Sequence, residues 1–202
     1  MDNLAIGRQS DLFLAVLAGG QSRRMRGQDK GLVMLAGQPL FRHVLARLHA
    51  VAGRTVIVSG HHARIYAEAG FPVIGDAGIG PLGGILAAMQ SAASASWWLV
   101  VPCDMPSLPS DLASRLWQAV QKQGGDLAVP VCDGTRQHAV MLCNSCLMPH
   151  LQAYLAAGGR SIHGWLDRLN PVQVEFDGCA SFININTPED LAEAVDLFSR
   201  PA

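Results

Sequence analysis

Short, uninterrupted apolar runs punctuate this chain, FLAVL at 13–17 and WWLVV at 97–101 foremost among them. A strand with one wet face alternates apolar and polar residues. A run that is apolar at every position must be covered on both faces, as in a parallel sheet sandwiched between helices. Runs of strand length recur at 12–17, 55–59, 72–74, 97–101, 126–131, 139–143, 172–176 and 182–185, with segments of helix length between them. The helix candidates are 39–51, with Leu40, Val44, Leu45 and Leu48 on one face, then 62–69, 83–93, 110–123 and 146–157. A last helix is announced by Thr187 as N-cap, Pro188 in the first helical position and Asp190 three residues after the cap. This alternation predicts an α/β fold: a mostly parallel, twisted central sheet flanked by helices. The rhythm loosens in the second half, which predicts a small antiparallel insertion over 139–175.

At 202 residues the chain suits a single domain, 1–202, and no linker, repeat or low-complexity tract interrupts it. Half of its residues are hydrophobic and 15% are charged, a globular balance. The formal net charge of -1 offers no general attraction to nucleic acid or to an anionic membrane. Apolar runs fall far short of the roughly 20 residues that cross a bilayer, and the first residues lack the apolar centre of a signal peptide. The expectation is a cytoplasmic protein with neither nucleic-acid nor membrane partners. Five scattered cysteines, an odd number, point to ordinary reduced thiols, and the Cys143/Cys146 pair lacks the second pair that a zinc site needs.

The strongest chemical signal is LAGGQSRRMRGQDK at 17–30, directly after the first strand candidate. Gly19 and Gly20 let backbone N–H groups approach a ligand, while Arg23, Arg24, Arg26 and Lys30 crowd positive charge into one loop. A triphosphate is the natural partner for that combination. The loop matches neither GxxxxGK[ST] nor GxGxxG, which excludes a Walker loop and weakens a dinucleotide-binding reading.

Asp104, in VVPCDMP, follows the run at 97–101 and so belongs at the carboxyl edge of the sheet, where open α/β folds bind ligands. A hard carboxylate there suits Mg²⁺ bridging phosphates. Asp76 follows a short strand and precedes the small-residue stretch GPLGG at 80–84, which leaves room for a nucleoside; its carboxylate either reads a base or caps a turn. Asn184 and Asn186 alternate along the apolar run at 182–185 and its continuation, so both are expected on one face of a strand, turned toward a ligand.

Taken together, LAGGQSRRM…DK, GDAG…GPLGG, PCDMP, the GGRS of 158–161 and NINTPEDL resemble, in order and over nearly the whole chain, the molybdenum cofactor guanylyltransferase family. That resemblance implies a nucleotide-binding fold of the nucleotidyltransferase (GT-A-like) kind, with residues 1–110 as the nucleotide-binding half and 111–202 as the acceptor, or pterin, half. It implies GTP and molybdopterin or Mo-molybdopterin as substrates, Mg²⁺ as cofactor and pyrophosphate as co-product. A molybdoenzyme or chaperone would receive the product. Leu17, Ala18, Gly19, Gly20, Lys30, Ser59, Asp76 and Asp104 would bind nucleotide, with Asp104 also on the metal. Arg23, Arg24, Lys30 and Asp104 would form the catalytic set, and Asn184 and Asn186 would lie on the pterin side or near the metal. Arg26 departs from the family's common glycine, and Ser59 stands where a related sequence offers Asn to the nucleotide. The rival readings are a cytidylyltransferase for the same pterin, a sugar-phosphate nucleotidyltransferase, and a nucleotide-binding delivery module without catalysis.

Overall fold

The computed structural model describes residues 11–18, 29–76, 78–92 and 95–198, the side chains of 196 and 197 excepted. In chain order its regular elements begin with β1 (Leu12–Leu17), the short strands β2 (Met34–Leu35) and β3 (Gln38–Pro39), α1 (Leu40–Leu48) and β4 (Arg54–Val58). There follow α2 (Ala63–Ala67), β5 (Val73–Ile74), α3 (Pro81–Ser91), β6 (Trp97–Pro102) and α4 (Leu112–Gln123). The second half adds β7 (Leu127–Cys132), β8 (Thr135–Arg136), β9 (Met141–Asn144), α5 (Met148–Ala156), α6 (Ile162–Leu166), β10 (Val172–Glu175) and α7 (Pro188–Phe198).

One large sheet runs in the order β5-β4-β1-β6-β9-β7-β10, with β8 paired to β7. The pairs β5–β4, β4–β1, β1–β6 and β7–β10 are parallel, and β9 lies antiparallel to both neighbours, β6 and β7. The uninterrupted apolar runs now have their reason. Leu12, Leu14 and Val16 of β1 pack on one face with Phe41, Val44 and Leu48 of α1 and Leu112 and Leu116 of α4. Phe13 and Ala15 pack on the other with Leu82, Ile85 and Met89 of α3 and Leu151 of α5. Each such fully buried Leu, Ile or Phe contributes ~1.5–3 kcal/mol. In α3, Gly84 lets the helix come close: a Cβ there would meet Val58 Cγ1 at 3.2 Å and Leu17 Cδ2 at 3.5 Å.

Register fixes where chemistry can occur. Ile74, Val58, Leu17 and Pro102 stand in one row across β5, β4, β1 and β6. The ladder continues one residue further, through Ser59 N–H to Ile74 O at 2.9 Å, Ala18 N–H to Val58 O at 2.8 Å and Cys103 N–H to Leu17 O at 3.0 Å. The residues just beyond this row therefore share one edge.

The α/β expectation holds, and several details change. The antiparallel strands of the second half are β8 and β9, whereas β10, within the stretch expected to be antiparallel, runs parallel to β7. The β2–β3 hairpin lies in the first half, where none was expected. α3 starts at Pro81, two residues ahead of the expected start, because Gly80 takes the cap with φ 82° and Pro81 fits the first turn. The strand expected at 182–185 does not form. Gly178, in the left-handed region at φ 79°, opens a 3-10 turn at Cys179–Phe182, and the chain then runs on extended at Ile183 without a partner strand. Ile185 N–H instead donates to Asp104 O at 2.9 Å.

The cysteine expectation is overturned at one pair. Cys132 and Cys179 are joined in a disulfide, with Cα atoms 5.6 Å apart; Cys103, Cys143 and Cys146 are free. Spacing in sequence hid the pair, because β10 beside β7 is what brings Cys179 back to the end of β7. No helix among the described residues is long and apolar enough to cross a membrane.

Candidate active site at the carboxyl edge of the sheet

Asp104 sits two residues past the end of β6 and is 8% exposed. Its Oδ2 accepts from Lys30 Nζ at 3.2 Å, and its Oδ1 is buried without a hydrogen-bond partner among the described residues. A carboxylate oxygen left in that condition is costly unless something cationic completes it. The donor set fits a hard divalent cation, for which Asp104 would be the protein ligand.

Lys30 opens a 3-10 turn, Lys30–Leu32, capped by Asp29. Its ammonium donates both to Asp104 and to the side-chain oxygen of Asn186, residues 74 and 156 positions away. Asn186 is brought in by α7. That helix packs Ala194, Leu191 and Phe198 onto Val33, Leu35 and Leu40, next to the Lys30 turn. Its start is the expected capping box in full: Asp190 accepts from Asn186 N–H at 2.8 Å and Thr187 N–H at 2.9 Å, while Thr187 Oγ1 accepts from Asp190 N–H at 3.1 Å. The Asn186 N–H, foremost among these contacts, holds the Asp190 carboxyl below its ordinary value. Asn184, also half-buried, makes no side-chain hydrogen bond among the described residues. The expected shared strand face for the two asparagines is thus replaced by an extended linker that delivers Asn186 to Lys30.

The residues expected on the nucleoside side, Ser59 and Asp76, lie just past the ends of β4 and β5. Asp76 lies over Gly60, where a Cβ would stand 2.5 Å from its Oδ1, and that oxygen accepts from Gly78 N–H at 3.1 Å. Ser59 is 2% exposed and its hydroxyl closes on its own loop, donating to His61 O and accepting from His61 N–H at 3.3 Å. Leu17 and Ala18 end β1 at the centre of the row. Gly19, Gly20, Arg23, Arg24 and Arg26 lie outside the described residues.

Among the described residues no nucleophile is poised here. Burial, then the neighbouring Asp104 charge, holds the Cys103 thiol well above its ordinary range. Cys132, Asp133 and Cys179 cluster at the end of β7, but their two sulfurs are bonded to each other. A cavity of about 630 Å³ lined by Phe13, Arg54, Phe71 and Ser91 opens at the opposite, amino-terminal edge of the strands, away from Asp104. Reasoning from sequence overlooked Asp29, Tyr66 and His62, whose contacts with the Lys30 turn are described below; the DK pair of the loop motif was the one available sign.

A family model for the MobA-like NTP transferase domain matches residues 14–172. A molybdenum cofactor guanylyltransferase of Cupriavidus metallidurans is 40% identical over 194 residues, covering 91% of this chain and 94% of its own. One of Yersinia pestis is 42% identical over 187 residues, covering 90% and 94%. Among solved structures, molybdopterin-guanine dinucleotide biosynthesis protein A of Archaeoglobus fulgidus superimposes with a TM-score of 0.75 at 28% identity, covering 93% of this chain and 98% of that one. The 4-diphosphocytidyl-2C-methyl-D-erythritol synthase of Anaerococcus prevotii, 11% identical, shares the fold at a TM-score of 0.76 over 95% and 97%.

The chain is therefore a nucleotidyltransferase, built on a sheet whose carboxyl edge gathers lysine, carboxylate and amide. Within that class it belongs to the MobA-like NTP transferase family, alongside the molybdenum cofactor guanylyltransferases.

Proposed function

We infer that the chain transfers GMP from GTP to the terminal phosphate of molybdopterin or Mo-molybdopterin, with Mg²⁺, and releases pyrophosphate. The observation that carries this reading is the Lys30–Asp104–Asn186 cluster with its unsatisfied Asp104 Oδ1, set at the ligand-binding edge of the sheet. Kinship at about 40% identity supports the choice of substrates.

An oxygen of the pterin's terminal phosphate attacks the α-phosphorus of GTP, and the bond from that phosphorus to the bridging oxygen breaks as pyrophosphate leaves. The nucleophile is already ionised, so no general base is required, and the protein contributes position and charge. Mg²⁺ on Asp104 would neutralise charge on the reacting and leaving phosphates. Lys30, which stands against Asp104 Oδ2, would add its positive charge to the triphosphate beside that carboxylate. We assign Arg23 and Arg24 to the same phosphates, with Gly19 and Gly20 and the end of β1 at Leu17 and Ala18 forming the cradle. Asp76 is our reader of guanine, because a carboxylate accepts from N1–H and the N2 amino group together. Ser59 supports it by closing the loop that carries Gly60. We assign Asn186, held at Lys30, and its neighbour Asn184 to the acceptor side. We place the reaction in the cytoplasm, where nucleoside triphosphates are made, and infer hand-over of the product to a molybdoenzyme or chaperone.

The test is a binding panel of GTP, CTP, ATP and UTP with and without Mg²⁺, coupled to pyrophosphate release when molybdopterin is added. GTP selectivity that needs Mg²⁺, with release of pyrophosphate, is the expected result. CTP preference would make the chain a cytidylyltransferase, and binding without release would make it a delivery module.

A further inference from the structure

Lys30 is flanked by a carboxylate and a glycine, and both are held by a residue from another element. Asp29 has a side chain only 6% exposed, and both of its oxygens are engaged. Oδ1 accepts from Gly31 N–H at 3.1 Å and from the Tyr66 hydroxyl at 2.5 Å, while Oδ2 meets His62 Nδ1 at 3.1 Å. Tyr66 comes from α2, is fully buried and stands edge-on to Phe41 with ring centres 4.8 Å apart. His62, at φ 53°, takes the left-handed turn that starts α2 and points that helix at the Lys30 loop. A Cβ on Gly31 would lie 2.3 Å from Tyr66 Oη and 3.2 Å from Cys103 Sγ. The turn is thus gripped between α2 and the residue preceding Asp104.

The charge pattern has a purpose in this setting. A buried carboxylate is costly unless donors satisfy it, and Asp29 has found them in Gly31, Tyr66 and His62. Burial first, then Cys103 and Asp29, raises the Tyr66 phenol well above its ordinary value, so its hydroxyl remains a donor. With the backbone on either side of it pinned, Lys30 has only its own side chain left to order, and that side chain is 25% exposed and aimed at Asp104 and Asn186. Fixing a ligand-binding group beforehand lowers the cost of binding.

We propose that Asp29 and Tyr66 are positioning residues which hold Lys30 opposite Asp104, so that affinity for the triphosphate depends on a hydroxyl–carboxylate pair that does not touch the nucleotide. The proposal rests on the reading of Lys30 as a triphosphate ligand. Tyr66→Phe keeps the ring and its contact with Phe41 and removes only the O–H. GTP and guanosine affinities, with Mg²⁺ present, and melting temperature are measured for wild type, Tyr66→Phe, Lys30→Ala and the double variant.

Tyr66→Phe is expected to weaken GTP binding by about five- to tenfold, the worth of one buried hydrogen bond, and to leave guanosine binding in place. In the Lys30→Ala background the same change should alter GTP affinity by under about twofold, because Tyr66 acts through Lys30. Additive losses in the double variant would overturn the proposal, and so would equal losses for GTP and guanosine alongside a lower melting temperature. Should Tyr66→Phe fail to fold, Asp29→Asn, which keeps the shape and removes the charge, carries the same cycle. If Lys30→Ala alone left GTP affinity intact, the underlying reading of Lys30 would fall and the proposal with it, a pattern distinct from additivity.

Discussion

Replacing Asp104 by Asn should cut turnover steeply while leaving the fold as stable as before or more so. The two halves of that expectation come from the two oxygens. Oδ2 shares an ion pair with Lys30, whose side chain is 25% exposed, so screening limits the pair to about 1 kcal/mol at most. An Asn carbonyl can keep that contact in part. Oδ1 is buried without a partner, and an unsatisfied group of that kind costs about 1–3 kcal/mol, more when charged. Substitution by a neutral amide relieves part of that penalty, leaving a net gain of roughly 0–2 kcal/mol. Across ~200 residues each kcal/mol shifts the melting temperature by about 2–4 °C, so the variant should melt between roughly 0 and 8 °C higher. Catalysis should fall by about 100- to 1,000-fold, the usual cost of removing one preorganised electrostatic contact. Pyrophosphate release gives the rate, and thermal melts with and without Mg²⁺ and GTP give stability and its response to ligand. Melting several degrees below wild type would show that the carboxylate holds the fold together and that its lone oxygen is no vacancy for a cation. Retained turnover would remove Asp104 from the chemistry altogether.

Three further outcomes follow from the same geometry. Asp76→Asn should cost GTP about 5- to 150-fold in affinity, the equivalent of ~1–3 kcal/mol for an unpaired polar group, with ITP, which lacks the N2 amino group, affected less; wild type that binds ITP as tightly as GTP would refute the two-donor reading. Cys179→Ser, or reductant on wild type, should lower unfolding stability by up to ~4 kcal/mol, because the Cys132–Cys179 bond spans 47 residues; unchanged denaturation under reductant would contradict it. Asp190 has a folded-state pKa below its ordinary value of 3.8, so its contribution is complete above that value and is lost as pH falls through the depressed one. Melting curves of wild type and Asp190→Ala should therefore converge as pH drops below about 4, and curves that stay parallel would count against the cap.

How far the sequence could be read depends on the range over which each feature is decided. β1 and β6 were legible because a run that is apolar at every position has only one comfortable place, inside a covered sheet. The α7 cap was legible because Thr187, Pro188 and Asp190 settle it within four residues. The segment 182–185 misled because Phe182, Ile183 and Ile185 make an apolar run of strand length, and nothing local records that no strand pairs with it. The Cys132–Cys179 bond was hidden for the complementary reason, since it follows from β10 lying next to β7.

Lys30 shows both limits in one residue. Its place in a charged loop named it as a phosphate ligand, yet its partners lie 74 and 156 residues away: Asp104 is carried by the end of β6, and Asn186 reaches it through the docking of α7 on Val33, Leu35 and Leu40. The same docking explains why two asparagines only two residues apart in sequence part company in space. Asn186 directly precedes the cap that Asp190 ties down and is drawn to Lys30, whereas Asn184 stays on the extended linker. A site assembled in this way depends on packing far from the reacting atoms. Loosening Leu191 or Ala194 from Val33 and Leu40 should therefore disturb Lys30 as surely as a change within the loop itself.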